Sequence, residues 1–118
     1  MNIGRSANLI RAGFAWRTFG SSGAGVTLLN AVAGDDEQER MLAGMALVKA
    51  GERSLDLIGE TYASDNATPQ MVRLVADIGG PRARPMLTEM AASPGPLADA
   101  ALDSLDLLDR IDSLDESD

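Results

Sequence analysis

Apolar pairs recur through this chain at a fixed interval: Leu28-Leu29, Leu57-Ile58 and Met86-Leu87 are each separated by 29 residues. Gly51 and Gly80 keep the same interval. A period of this length predicts a repeated helical hairpin, each member too small to bury its own apolar face and completed by stacking on its neighbours. The clearest member spans residues 54–80. Its first helix offers Leu55, Leu57, Ile58 and Tyr62, and its second offers Met71, Val72, Leu74, Val75 and Ile78 across a polar turn. The hairpin before it pairs residues 26–33 with 39–50 around Gly34-Asp35-Asp36, with Met41, Leu42, Met45 and Val48 expected on the inward face. The hairpin after it pairs residues 84–92 with 97–111 across Ser93-Pro94-Gly95-Pro96, where proline blocks helix continuation. The inner turns differ in length, so the second helices drift: Arg40 and Arg73 are 33 apart.

The residue types available agree with helices. With four aromatics in 118 residues, the core has to be built from Leu, Ile, Val, Met and Ala, a list that favours helix over sheet. The chain length suits a single domain. Cysteine and histidine are both absent, which excludes disulfides, thiolate chemistry and imidazole ligands or bases. Paired carboxylates such as Asp35 and Asp36 are better explained as the start of a helix, and the single Lys49 has no evident catalytic partner. The expectation is a protein that is not an enzyme and needs no cofactor or metal.

Charge is divided unevenly. Residues 1–34 hold Arg5, Arg11 and Arg17 and no acid, while the rest carries a net charge of −11. An acidic body argues against nucleic acid, whose phosphates require clustered cations. It suits solubility, or a protein partner with a basic surface.

Residues 6–19 read as an N-terminal amphipathic helix, with Ser6 as its cap and three of the four aromatics on it. The segment is too short to span a membrane and too broken for a secretory signal, although its Arg-rich, acid-free composition has the general character of a mitochondrial presequence. It has three readings: a cap on the helical array, a partner-binding element using aromatics and Arg, or a contact with an anionic membrane surface. The stretch from Gly20 to Thr27 is similar to a phosphate-binding glycine loop, but Val26 stands where the lysine belongs and helix, not strand, precedes it. A flexible Gly/Ser joint is the reading adopted.

The second helices carry a further pattern: Val72-Arg73, then Ala76, then Ile78-Gly79, echoed by Arg40, Ala43 and Leu47 and more faintly by Leu97, Ala101 and Leu105. On these residues the chain resembles a short HEAT-type α-solenoid of the phycobilisome-lyase class over residues 26–111. The resemblance implies that the valine packs inward and the arginine pairs with an acid in a turn, Asp65 or Asp36. Ala98 stands where the third arginine would be. It also implies a protein-binding scaffold, with help in chromophore attachment known for some short members.

The last helix has Leu102, Leu105, Leu108, Ile111 and Leu114 at intervals of three, with aspartates between them. It is expected to turn the leucines inward, and its spacing is not that of a calcium loop. Residues 115–118 are expected to fray.

The sequence therefore predicts an all-α, short right-handed α-solenoid of about three helical hairpins with an N-terminal helix. Residues 1–23 form the helix and joint, 24–111 the repeats and 112–118 an acidic tail. Its expected function is non-catalytic protein–protein interaction, in the cytoplasm, with peripheral membrane contact through residues 6–19 or a chromophore-lyase-like role as alternatives. Expected contact residues are Arg11, Phe14, Trp16, Arg17 and Phe19 on the first helix, Arg40, Lys49, Arg73 and Asp77 on the repeats, and Asp103 and Asp106 on the last helix. Self-association through the ends of the array is a further expectation.

Overall fold

A computed structural model describes the backbone of residues 3–116 and the side chains of residues 7–21 and 23–114. The described chain is all-helical: α1 (Ile3–Phe19), α2 (Ser22–Ala33), α3 (Glu37–Ala50), α4 (Glu52–Ala63), α5 (Pro69–Ile78), α6 (Ala83–Ala91) and α7 (Pro96–Glu116). It divides into two compact units, Met1–Leu57 and Ile58–Asp118, with the boundary inside α4.

Local chemistry sets the helix ends. The Asp36 carboxylate accepts a hydrogen bond from the Glu39 amide at 3.0 Å and starts α3. Thr68 caps α5, and Pro69 takes the first helical position, where its missing N–H costs nothing. Pro96 does the same for α7. Gly51 ends α3 with φ of 66°, a conformation that glycine adopts without the Cβ penalty. The matching end of α5 is Gly79, followed by Gly80, both at positive φ, so the closing echo of Gly51 arrives one residue earlier than expected. The first helix starts at Ile3, which places Ser6 inside it and not at its cap; the Ser6 side chain lies outside the described ones.

In the first unit α1, α2 and α3 each pack on the other two. Trp16 is 4% exposed and sits in this core with Leu28, Leu29, Leu47 and Leu55. Its indole Nε1 donates to Ser54 Oγ at 2.9 Å, and the Ser54 hydroxyl donates in turn to the Leu47 carbonyl at 2.7 Å. The Arg53 guanidinium donates to the Trp16 and Arg17 carbonyls at 2.7 and 3.1 Å at the end of α1, the Trp16 carbonyl also accepting from the Gly20 amide at 3.1 Å, and stands 5.9 Å from the indole centroid. Trp16 was expected on a binding face; it belongs to the core instead, because Ser54 gives its N–H a buried partner.

The Gly/Ser joint is also corrected. Only Gly20 and Ser21 lie between α1 and α2, and Gly23 and Gly25 are helical. A Cβ on Gly25 would stand 2.9 Å from the Trp16 ring and 2.7 Å from Leu57 Cδ2. That glycine provides close approach, not flexibility.

Two expected faces are rotated. On α3 the buried positions are Glu39, Ala43 and Leu47, while Met41 and Met45 are exposed and Leu42 and Val48 half-buried. On α7, in the second unit, Ala98, Ala100, Ala101 and Ser104 are buried, and of the leucine series Leu105 and Leu108 are half-buried while Leu102, Ile111 and Leu114 are exposed. A leucine every third residue falls behind an α-helix by roughly 60° per step, so no single neighbour can cover the whole series. In this unit α5, α6 and α7 pack on one another around Val72, Val75, Leu87 and Ala101. Arg84 of α6 ties α7 at two points, Asp109 at 2.6 Å and Asp112 at 2.5 Å. The α7 helix runs through Glu116, so residues 112–116 are helix and not tail; of the end expected to fray, 117 and 118 lie outside the described residues.

Two outcomes follow for stability. Ser54→Ala strands the buried indole N–H, and urea unfolding should show a loss of about 1–3 kcal/mol. The Asp36 carboxyl, held below its ordinary value of 3.8 chiefly by the Glu39 backbone hydrogen bond, stabilises the fold above that value and loses its contribution as pH falls through the lowered one. An Asp36→Asn variant keeps a cap that does not titrate. Its melting temperature should lie below that of the natural chain at neutral pH, with the gap closing on acidification past 3.8.

Candidate interaction surface

The rotation of α3 decides what the first unit shows to solvent. Its small-residue side lies against α1, and the approach is close: a Cβ on Gly13 would stand 2.9 Å from that of Ala46. Helices that touch through Gly and Ala leave their bulky neighbours flanking the contact. The result is an apolar groove of about 290 Å³ between α1 and α3, with Ile10, Phe14, Leu42 and Met45 on its walls and Arg17 and Lys49 at its edge. Ile10 is 64% exposed, Phe14 56% and Met45 52%. Phe19 extends the aromatic wall, its ring edge-on to Phe14 with centroids 6.1 Å apart. Exposed aromatic and methionine side chains beside cations have the composition of a protein-binding patch.

Of the contact residues expected from sequence, the groove brings together Phe14, Arg17 and Lys49, with Phe19 alongside and Arg11 exposed on the same helix. Trp16 is excluded by its burial. Arg40 is half-buried and donates to the Gly34 carbonyl at 2.9 Å, closing the end of α2. The other expected residues belong to the second unit. Arg73 and Asp77 lie exposed on α5, and partial desolvation raises the Asp77 carboxyl above its ordinary value. Asp103 and Asp106 lie exposed on α7, the latter paired with Arg110 at 2.8 Å. Ile10, Met41 and Met45 were not foreseen at a surface; the spacing of Ile10 with Phe14 and of Met41 with Met45, four residues each, reads equally as a core face.

A second, polar cleft of about 580 Å³ in the same unit is lined by Asn8, Thr27, Asn30, Asp35, Asp36 and Glu39. Asp36 is committed there to its cap, and Glu39 is buried. Among the described residues no cluster of three or more acids is arranged to hold a metal ion, and no helix is long and apolar enough to cross a membrane.

Gly13→Ala should separate α1 from α3, because the Ala46 methyl is held by its own helix and cannot yield. Overpacking costs about 1–3 kcal/mol and alanine's better helix propensity returns up to about 1, so a net loss of up to about 2 kcal/mol is expected in chemical denaturation. A gain of the full helix-propensity value, about 1 kcal/mol, would show that the two helices are not in this contact.

Comparison with protein-family models, with curated proteins and with solved structures found no match to this chain.

Proposed function

We propose that this chain is a non-catalytic protein-interaction module that binds through the α1/α3 groove. One observation carries the reading: Ile10, Phe14 and Met45 stand more than half exposed around a single apolar groove with Arg17 and Lys49 at its edge. Exposed apolar residues scattered one by one need no explanation, whereas a contiguous patch with a polar rim does. Methionine adapts its shape to what it meets, and phenylalanine supplies contact area at small conformational cost.

In this reading the framework is a short HEAT-like solenoid. Its hairpins are α2 with α3, α4 with α5 and α6 with α7, and α1 is the preceding helix. The 29-residue recurrence supports it, as do the packing of α2 on α3 and of α6 on α7. The groove-bearing α1 then gives the N-terminal end of the array its contact surface.

An anionic membrane is the competing occupant, favoured by exposed Ile10, Phe14 and Phe19 beside Arg11 and Arg17. Burial of Trp16 removes the strongest interfacial anchor from that face, and a net charge of −8 opposes approach to anionic lipid. The test is a photo-crosslinking amino acid placed at Phe14 or Met45, with Thr88 on α6 as control. The groove positions should give discrete protein adducts that the control does not. Flotation with anionic vesicles, lost on Phe14→Glu, together with no protein adduct from either groove position, would replace this reading with the membrane one.

A further inference from the structure

Apart from Val26, the strongly exposed large apolar side chains among the described residues fall into two groups. One is the α1/α3 face, with Ile10, Phe14, Phe19, Met41 and Met45; the other is α7, with Leu102, Leu107, Ile111 and Leu114. On α7, Leu107, Ile111 and Leu114 are spaced by four and three residues, so they share one stripe of the helix. Leu102 lies off that stripe. The Leu107–Ile111–Leu114 spacing is that of an amphipathic helix that lays its apolar face into a groove.

Charge pairs the two groups. The groove edge is cationic, with Arg17 and Lys49, and the α1 sequence has no acid. The α7 sequence carries six aspartates and one glutamate against the single Arg110. Asp103 and Asp106 run along one margin of the stripe, with Arg110 between them and paired to Asp106 at 2.8 Å, which leaves Asp103 as the uncompensated charge beside it. Groove against groove sets Arg17 and Lys49 beside their own copies, and α7 against α7 sets aspartate beside aspartate. Only the crossed pairing is attractive in both its apolar and its charged parts.

We propose that the occupant of the α1/α3 groove is the Leu107–Ile111–Leu114 face of α7 from a second copy of this chain. The proposal rests on the groove being a protein-binding surface and names its partner. Leu107, Ile111 and Leu114 enter between Ile10, Phe14 and Met45, with Asp103 near Arg17 and Lys49. Such an interface is head-to-tail: each copy keeps an unused groove and an unused α7, so association closes into a ring or extends as a chain.

Complementary variants of the full chain test this. Phe14→Glu spoils the groove and leaves α7 intact; Ile111→Glu spoils α7 and leaves the groove intact. Both side chains are exposed, so circular dichroism and melting temperature should stay at natural values. In sedimentation velocity the natural chain should associate with rising concentration, less so at high salt. Each variant alone should associate at least ~10-fold more weakly, the loss of one contact worth about 1.4 kcal/mol. An equimolar mixture should recover a species of dimer mass and nothing larger, because it contains one competent groove and one competent α7 stripe. A natural chain monomeric at every concentration overturns the proposal, as does a mixture that stays monomeric or an Ile111→Glu variant that associates normally. A monomeric chain whose Phe14 crosslinker still captures a different protein overturns only the self-pairing, leaving the groove as a protein-binding surface.

Discussion

The first unit depends on a hydrogen-bond relay of two steps, from the Trp16 indole to the Ser54 hydroxyl and from that hydroxyl to the Leu47 carbonyl. The relay joins α1, α3 and α4 at a buried point. An indole N–H brought out of water without a partner costs free energy, and so does a hydroxyl; here each resolves the other, and Leu47 accepts what remains. Other features follow from the position of that ring. Glycine is required at position 25, because a Cβ would meet the ring and Leu57. Arg53, next to the serine, reaches back to the carbonyls at the end of α1. The sharp reversal at Gly20, with φ of 66°, lies beneath that guanidinium.

Helix existence and some helix ends were legible in the sequence because they are set locally: Asp36, Pro96 and Gly51 each act within one turn of their own position. Other ends were not, since Ser6 falls inside α1 and α2 is already under way at residue 23. The direction in which a helix faces is set by its neighbours: the expected inward residues of α4 and α5, Leu55, Leu57, Ile58, Met71, Val72, Leu74 and Val75, are buried, whereas those of α3 and part of α7 are not. Met41 and Met45 were expected inside on α3, where Ala43 and Leu47 are buried. On α7 Leu102, Ile111 and Leu114 were expected inside and are exposed, while Leu105 and Leu108 are half-buried beside Ala101 and Ser104. On α3 the packed side carries Ala43 with Leu47 and not the methionines, and on α7 the buried positions are alanine and serine. Trp16 failed for a related reason: its hydrogen-bond partner lies 38 residues away, and nothing near it in sequence announces burial. Part of the candidate groove was nonetheless readable, since Phe14, Arg17 and Lys49 were singled out for aromatic character and charge. Its methionine wall was not.

Contacts through small residues explain why this chain has an apolar surface to offer. Two helices that meet at Gly13 and Ala46 bring their backbones close, and the flanking side chains are turned aside along the seam. Bulky apolar residues next to such a contact cannot enter it. They form its walls, as Ile10, Phe14 and Met45 do. On α7 the cause is different: the buried Ala98, Ala100, Ala101 and Ser104 lie in the first half of the helix, and exposed Leu107, on the same face as Ala100 two turns on, and Ile111 lie further along.

These two exposed faces differ in sign, and that difference limits what each accepts. A cationic seam repels a copy of itself, and an aspartate-lined helix does likewise, so neither surface supports a symmetric pairing at low ionic strength. Burying Phe14 or Ile111 favours association with any apolar partner, but only an opposite edge makes the encounter attractive before contact is made. A chain whose first 34 residues contain no acid and whose remainder is strongly acidic carries both edges at once. In the proposed pairing, apolar contact supplies affinity on each face, and the charge around it selects which face is met.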